Sequence, residues 1–351
     1  MKHGGNIWEV IEKYKFKVED ILDFSSNINP FFDISKIKKI ILSSLNEICF
    51  YPDPEYKKTR KKIAEKLGLS YKNIILGNGS SELIYLLPKA LNLRKTLILI
   101  PTFSEYERAI KLNGGKIMFL RLREEEGFKI NPNKIPKLLP HVDSFFLCNP
   151  NNPTGNFVEK EDVFWISKKM GDEKFLIIDE AFIDFTDKEG IAEKVKEIKN
   201  IFVLRTLTKI FPIPGIRIGY MCGNERGIEK ISAFQYPWNV NCFAKNLIEN
   251  LICVDVKEIR EKIRKEKEYL YESLKSLKGI KVFKGEANFL LVKFEKGIIL
   301  KDIIEKLKAK GILVRDCSNI RGFRGNFIRI SVRRRGENKR LVKELKWLLN
   351  Q

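Results

Sequence analysis

Leu204-Arg205-Thr206-Leu207-Thr208-Lys209, followed closely by Pro214-Gly215-Ile216-Arg217-Ile218-Gly219-Tyr220, is the stretch from which the fold is read. It enters as an apolar run, Ile201-Phe202-Val203-Leu204, and ends on polar residues. A second apolar run lies just beyond Arg217. A lysine where a buried strand ends can lose its proton and form a Schiff base with an aldehyde. Thr206 and Arg217 stand where a hydroxyl and a guanidinium could hold a phosphate. Taken alone, a strand-end lysine is ordinarily a surface lysine. Its company along the chain changes that.

Upstream of this block, short apolar runs alternate with amphipathic ones. Strands are predicted at 73–76, 96–100, 144–148, 175–178, 201–204 and 216–221, and helices at 80–91, 104–112, 159–170 and 191–196. That alternation predicts an α/β fold, a mainly parallel sheet covered on both faces, with ligands collecting at the carboxyl ends of the strands. After Asn241 the pattern changes. A long charged helix at 244–277 is expected to lead to a strand at 288–294, a helix at 300–310, strands at 312–315 and 327–332, and a last helix at 337–349. The expected organisation is a large ligand-binding domain over 31–243 and a smaller α+β domain over 244–351. Residues 1–30 are too few for a domain and are expected to pack on the small domain and the active site.

A chain of 351 residues, 44% hydrophobic and 32% charged, suits a packed globule of two domains. Its net charge of +21 raises nucleic acid as a partner. Lysines and glutamates alternate, however, as in Glu258-Ile259-Arg260-Glu261-Lys262, which is the pattern of solvated helix faces, and no basic stripe with interleaved aromatics stands out. No nucleic acid is therefore expected. Apolar runs are too short to span a bilayer, and Met1-Lys2-His3-Gly4-Gly5 opens without a signal-peptide core. Six scattered cysteines without a C-x-x-C pair, and only two histidines, argue against zinc or a disulfide framework. A cytoplasmic location is the expectation.

Four further segments carry candidate chemistry. In Ile177-Ile178-Asp179-Glu180-Ala181-Phe182, Asp179 ends an apolar strand and could pair with a protonated pyridine nitrogen, or simply cap a helix. Gly77-Asn78-Gly79-Ser80 opens an apolar helix, as a phosphate cradle or a capped helix start. Asn149-Pro150-Asn151-Asn152-Pro153-Thr154-Gly155 follows another strand and consists of turn formers, though an Asn side chain there could also donate to a ring oxygen. Phe103, in Pro101-Thr102-Phe103, could stack on a flat ring or lie in the core.

In order and spacing these segments resemble the fold-type I pyridoxal-phosphate (PLP) enzymes, with an aspartate-aminotransferase-like large domain, in the histidinol-phosphate aminotransferase-like branch. The resemblance spans nearly the whole chain. It implies Lys209 as the Schiff-base lysine, Asp179 as the pyridinium partner, Asn152 as donor to the ring hydroxyl and Phe103 as the stacking ring. It implies Gly79, Ser80, Thr206 and Arg217 as phosphate ligands. A homodimer is also implied, in which Tyr51 of Phe50-Tyr51-Pro52-Asp53 reaches the neighbouring active site.

Within that branch, five features resemble the L-threonine-O-3-phosphate decarboxylases of the cobalamin pathway. They are His3-Gly4-Gly5-Asn6, Asp23-Phe24-Ser25-Ser26-Asn27-Ile28-Asn29-Pro30, Phe182 in place of the tyrosine usual in aminotransferases, Tyr236-Pro237-Trp238-Asn239-Val240-Asn241, and Val314-Arg315-Asp316-Cys317-Ser318-Asn319. The resemblance implies Arg329 as the carboxylate holder. His3, Gly4, Asn27, Asn152 and Arg315 would complete the substrate pocket, with Arg315 on the substrate phosphate. Without it, Arg315 and Arg329 could be strand arginines facing solvent, and that is the expectation for Arg333, Arg334 and Arg335. Transamination on the same fold is the alternative activity.

Overall fold

Successive residues of each central strand enter different hydrophobic clusters, and this alternation seats the sheet between two helical layers. Ile98, Phe146, Ile177, Phe202 and Leu204 face one layer, which includes Leu83, Leu87 and Ile110. Leu97, Phe145, Leu147, Ile178 and Val203 face the other, with Ile63, Ile166 and Leu247. The computed structural model describes residues 4–351. Its main sheet has seven strands in the order Ile74–Gly77, Gly219–Cys222, Ile201–Thr206, Phe175–Asp179, Ser144–Cys148, Lys95–Ile100 and Lys116–Arg121. Only Gly219–Cys222 runs against the rest. A second sheet is antiparallel, in the order Arg315–Asp316, Asn326–Ser331, Phe289–Phe294 and Ile280–Lys284. Helices Lys257–Lys275 and Arg335–Leu349 cover it through Leu270, Leu274, Leu341 and Leu345.

The two sheets meet at Phe128, whose ring lies 5.3 to 5.9 Å from those of Phe283, Phe323 and Phe327. Lys293 bridges the same junction to Glu124 at 2.7 Å. Helix Ile7–Tyr14 joins Val10 to Ile21 and Leu313 in a small cluster, and Lys13 pairs with Glu305 at 2.7 Å.

Several elements differ from expectation for physical reasons. The strand expected at 216–221 begins only at Gly219, because Arg217 takes φ +61°, outside extended backbone. Lys116–Arg121 was not anticipated; it is an edge strand paired only with Lys95–Ile100 and has a half-exposed pattern. The helix expected at 191–196 is a single turn, Ala192–Lys194, enough to bury Ile191, Ala192 and Val195. The helix expected at 244–277 is two, Cys242–Leu251 and Lys257–Lys275. Between them Ile252, Val254 and Val256 turn onto the main core, which an unbroken helix would carry them away from. The strand expected at 312–315 divides: Ile312–Leu313 pairs in parallel with Leu22–Asp23, and Arg315–Asp316 joins the second sheet. Helices Ile7–Tyr14, Ile34–Ser43, Lys57–Leu67 and Glu225–Ser232 were also not anticipated.

Among the described residues no helix is long and apolar enough to cross a membrane. None of their His, Cys, Asp and Glu side chains group in a way that could hold a metal ion.

Candidate active site

A cavity of about 950 Å³ opens where the carboxyl ends of the parallel strands face the second sheet. Of the residues singled out in the sequence, Gly4, Asn27, Gly79, Ser80, Phe103, Asn152, Asp179, Thr206, Lys209, Arg217, Arg315 and Arg329 all line it. His3 lies outside the described residues. Tyr51 lies elsewhere on the chain, 79% exposed, its ring 4.5 Å from that of Trp238.

Lys209 follows the strand Ile201–Thr206 and donates from Nζ to the Ser26 carbonyl at 3.4 Å. Burial, with Arg329 and Arg217 nearby, lowers its ammonium to about 8, so a useful fraction is neutral near physiological pH. Opposite it, Asp179 ends its own strand as a buried carboxylate. It accepts from Tyr106 Oη at 2.6 Å and from the Ala181 N–H at 2.9 Å. Burial raises its carboxyl above the usual range, while those two donors pull the other way.

Tyr106 had no motif to mark it. It lies one turn beyond Phe103, which meets it edge-on with ring centroids 5.5 Å apart, and it is fully buried. Tyr106→Phe removes one donor from a buried carboxylate and should destabilise the apoprotein by about 1–3 kcal/mol at neutral pH. The sign follows from Asp179. Its folded-state pKa, already raised, rises further in the variant, so any stability due to its protonation is present below the unfolded value near pH 4 and lost as pH rises. Urea unfolding should show a smaller deficit at about pH 4 than at about pH 7. A deficit independent of pH would separate Tyr106 from the charge on Asp179.

The 149–155 turn divides its asparagines by task. Asn149 exchanges hydrogen bonds with Val158, donating at 2.9 Å and accepting at 2.8 Å. Asn151 donates to the Pro101 carbonyl at 3.0 Å and to Thr154 Oγ1 at 2.8 Å. Asn152 is the one presented to the cavity, where its Oδ1 accepts from Arg329 Nη1. Arg329 also donates through Nη2 to the Ser25 carbonyl at 2.6 Å. Burial, with Arg315 close by, lowers its guanidinium to about 10, so it stays charged at neutral pH. Arg315 is buried on the neighbouring strand directly opposite Arg329 and donates to Asn319 Oδ1 at 3.2 Å.

On the other side, helix Gly79–Ala90 points its N-terminus at the cavity. Gly79 has φ +74°, and a Cβ there would collide with the Arg217 guanidinium, so glycine is required. Thr206 donates its hydroxyl to the Ile218 carbonyl at 2.7 Å and shares a 2.9 Å contact with Thr208. Asn27 takes φ +57° and is buried, its Oδ1 accepting from Ser331 Oγ at 2.8 Å. That side chain shapes the wall through Ser331.

Two findings go beyond the sequence expectations. Thr208, Asp23 and Arg108 also line the cavity. Arg333, expected to face solvent, instead lines the cavity, half-buried and held by Glu337 Oε1 at 2.6 Å from Nη2. Its strand ends at Ser331, and the helix that supplies Glu337 begins at Arg335 and folds the side chain inward. Arg334 and Arg335 are exposed, as expected. The cavity therefore gathers Arg108, Arg217, Arg315, Arg329 and Arg333 with Lys209, against Asp23, Glu105 and Asp179. It is built for an anionic ligand with more than one charged end.

The family model described as aminotransferase class I and II matches residues 19–345. The chain is 33% identical to the threonine-phosphate decarboxylase of Salmonella typhimurium, covering 99% of this chain and 96% of that one. It is 35% identical to the adenosylcobalamin biosynthesis bifunctional protein CobDQ of Leptospira interrogans over 97% of this chain and 40% of that longer protein. The histidinol-phosphate aminotransferase structure from Clostridium acetobutylicum superposes with a TM-score of 0.87 at 34% identity, covering 94% of this chain and 99% of that one.

Proposed function

The chain belongs to the class I and II aminotransferase family, and on that premise we propose that it is a PLP-dependent decarboxylase. Its substrate is L-threonine O-3-phosphate, its product (R)-1-aminopropan-2-ol O-phosphate, and its place the cobalamin pathway. One observation carries this reading. Beyond Arg217, which suits the cofactor phosphate, two buried arginines, Arg315 and Arg329, face each other in the same cavity. A substrate bearing both a carboxylate and a phosphate occupies both.

The residues present fit PLP. Lys209 is an amine of lowered pKa, and Asp179 is a buried carboxylate able to hold a protonated ring nitrogen. Gly79 leaves room for the Arg217 guanidinium beside a helix N-terminus suited to phosphate. Ser80 and Thr206 would complete that cradle, Phe103 would cover the ring and Asn152 would serve its hydroxyl; all four line the cavity. When bound, PLP supplies an electron sink for the pair released as a bond to Cα breaks.

The protein's own residues then select the bond. Arg329, fixed by Asn152 and the Ser25 carbonyl, would hold the substrate carboxylate and orient it so that the bond to CO2 is the one selected to break. Arg315, with Gly4 and the wall formed at Asn27, takes the phosphate. Lys209 Nζ returns a proton to Cα. Phe182 packs edge-on against Phe289 at 5.1 Å and offers no hydroxyl to the ring.

Exposed Phe50, Tyr51, Tyr236 and Trp238 form the aromatic face of a homodimer, through which Tyr51 enters the partner's cavity. The expected boundary between 31–243 and 244–351 falls inside helix Cys242–Leu251, whose Leu247, Ile248 and Leu251 belong to the main core. The small domain therefore begins along helix Lys257–Lys275, where Leu270 and Leu274 enter the second core. The N-terminal segment packs on the small domain, and the enzyme works in the cytoplasm.

The likeness to a histidinol-phosphate aminotransferase structure favours transamination as the second reading. Incubating PLP-loaded protein with L-threonine phosphate separates the two. CO2 and aminopropanol phosphate formed without a 2-oxo acid acceptor support the decarboxylase. Conversion of the cofactor to pyridoxamine phosphate by histidinol phosphate, with no CO2, overturns it.

A further inference from the structure

Helix Lys257–Lys275 buries Ile263, Lys267, Leu270 and Leu274 along one stripe. That spacing is the core-facing face of an amphipathic helix, so Lys267 occupies a position where the pattern calls for an aliphatic residue. It is 8% exposed and lies outside the active-site cavity. Burying an ammonium is costly unless its donors are satisfied. Nζ meets that condition by donating to three successive carbonyls, Gly285 at 2.8 Å, Glu286 at 3.0 Å and Ala287 at 3.2 Å. An ammonium has three N–H donors, and all three are used on one loop. Burial pushes this group down to about 8.

The curl thus drawn around Lys267 touches both walls of the active site. On one side Gly285 packs directly on Gly155, where a Cβ on either residue would collide with the other's backbone. The Glu286 N–H donates to the Gly155 carbonyl at 2.7 Å. Gly155 closes the turn that presents Asn152 to Arg329. On the other side Asn288 Nδ2 donates to the Asn27 carbonyl at 3.0 Å, and the Asn288 carbonyl accepts from the Val332 N–H at 2.8 Å. Asn27 lines the cavity two residues beyond Ser25, whose carbonyl holds the other arm of Arg329.

We propose that Lys267 is a positioning residue for substrate: by gathering the 285–287 carbonyls it fixes the loop that sets Asn152 and the 25–27 segment around Arg329. The inference rests on the reading of Arg329 as the carboxylate holder. Its effect is on how the anionic end of the substrate is gripped, not on the cofactor.

The test uses PLP-loaded wild type, Lys267→Met and Lys267→Arg, with L-threonine phosphate as probe. Lys267→Met should raise KM about tenfold or more and change kcat less than about threefold, as expected for lost binding geometry. The cofactor absorbance should stay intact. Hydrogen exchange should accelerate in 150–156 and 285–288 while the strand Ser144–Cys148 stays protected. Lys267→Arg, which keeps charge and donors, should restore most of the affinity. Gly285→Ala, which forces the loop off Gly155 and leaves the lysine in place, should reproduce the same signature if the methionine variant does not fold. Unchanged KM with uniformly faster exchange in Lys267→Met, or in Gly285→Ala, overturns the proposal. A wild-type enzyme that does not bind L-threonine phosphate refutes the substrate reading instead, and the exchange pattern then decides the role of Lys267 by itself.

Discussion

Lys209→Ala is expected to abolish CO2 release from L-threonine phosphate, with a loss of at least about 10⁴-fold, and to eliminate the visible absorbance of the lysine-bound cofactor. Two roles vanish together. The variant loses the amine proposed to hold PLP covalently and the group proposed to return a proton to Cα. The lysine is placed for both, since burial and the flanking Arg329 and Arg217 lower its pKa to about 8. The fold should survive, because among the described residues the amine's hydrogen bond is the long 3.4 Å one to the Ser26 carbonyl, and its loss relieves repulsion with Arg329 and Arg217. Absorbance spectra and turnover of the purified variant check this. A variant that keeps the visible band, or more than about a hundredth of the activity, would remove Lys209 from the mechanism.

Arg329→Gln should lower kcat/KM by roughly 10²–10³-fold while leaving the cofactor band in place. The guanidinium is buried on an inner strand of the second sheet and uses two of its nitrogens on Asn152 and the Ser25 carbonyl. It is therefore fixed before substrate arrives, and it needs no reorganisation to meet a carboxylate. Arg329→Lys should recover little, because an ammonium cannot hold those two partners and a carboxylate in a planar fork. A related measurement sharpens the point. If Arg329 selects the bond that breaks, the glutamine variant should lose CO2 release more than it loses proton exchange at Cα. Equal loss of both would make it only a binding residue.

Much of this site could be read from the chain because strand ends advertise themselves. Lys209, Asp179 and Asn152 each stand at or just beyond an apolar run, and Gly79 opens an apolar helix. Those are the positions where a parallel sheet exposes polar groups. Tyr106 gave no such signal. Its relation to Asp179 crosses from a helix to a strand 73 residues away, and a helical tyrosine among charged neighbours looks like surface. Arg333 carries no local signal for a similar reason, since its inward turn depends on Glu337 in the next helix. The break at Ile252–Val256 was hidden because helical periodicity continues through it; only contact with the main core explains why the chain turns there. Local pattern identified the strands and helices that carry the site, but not helices Ile7–Tyr14, Ile34–Ser43, Lys57–Leu67 and Glu225–Ser232 or strands Lys116–Arg121 and Ile280–Lys284. Other errors fell where tertiary contacts override it.

The division of the 312–316 stretch between two sheets also bears on how the enzyme is made. Among the described residues Leu22–Asp23 find their only strand partner in Ile312–Leu313, and Arg315 takes its register from Arg329. The first wall of the cavity is therefore synthesised early but cannot be seated until nearly the whole chain has left the ribosome. Such long loop closure is slow. A nascent or C-terminally truncated chain would carry a finished cofactor platform with an open front. Substrate selectivity would be the last property acquired during biosynthesis and the first lost to a premature stop.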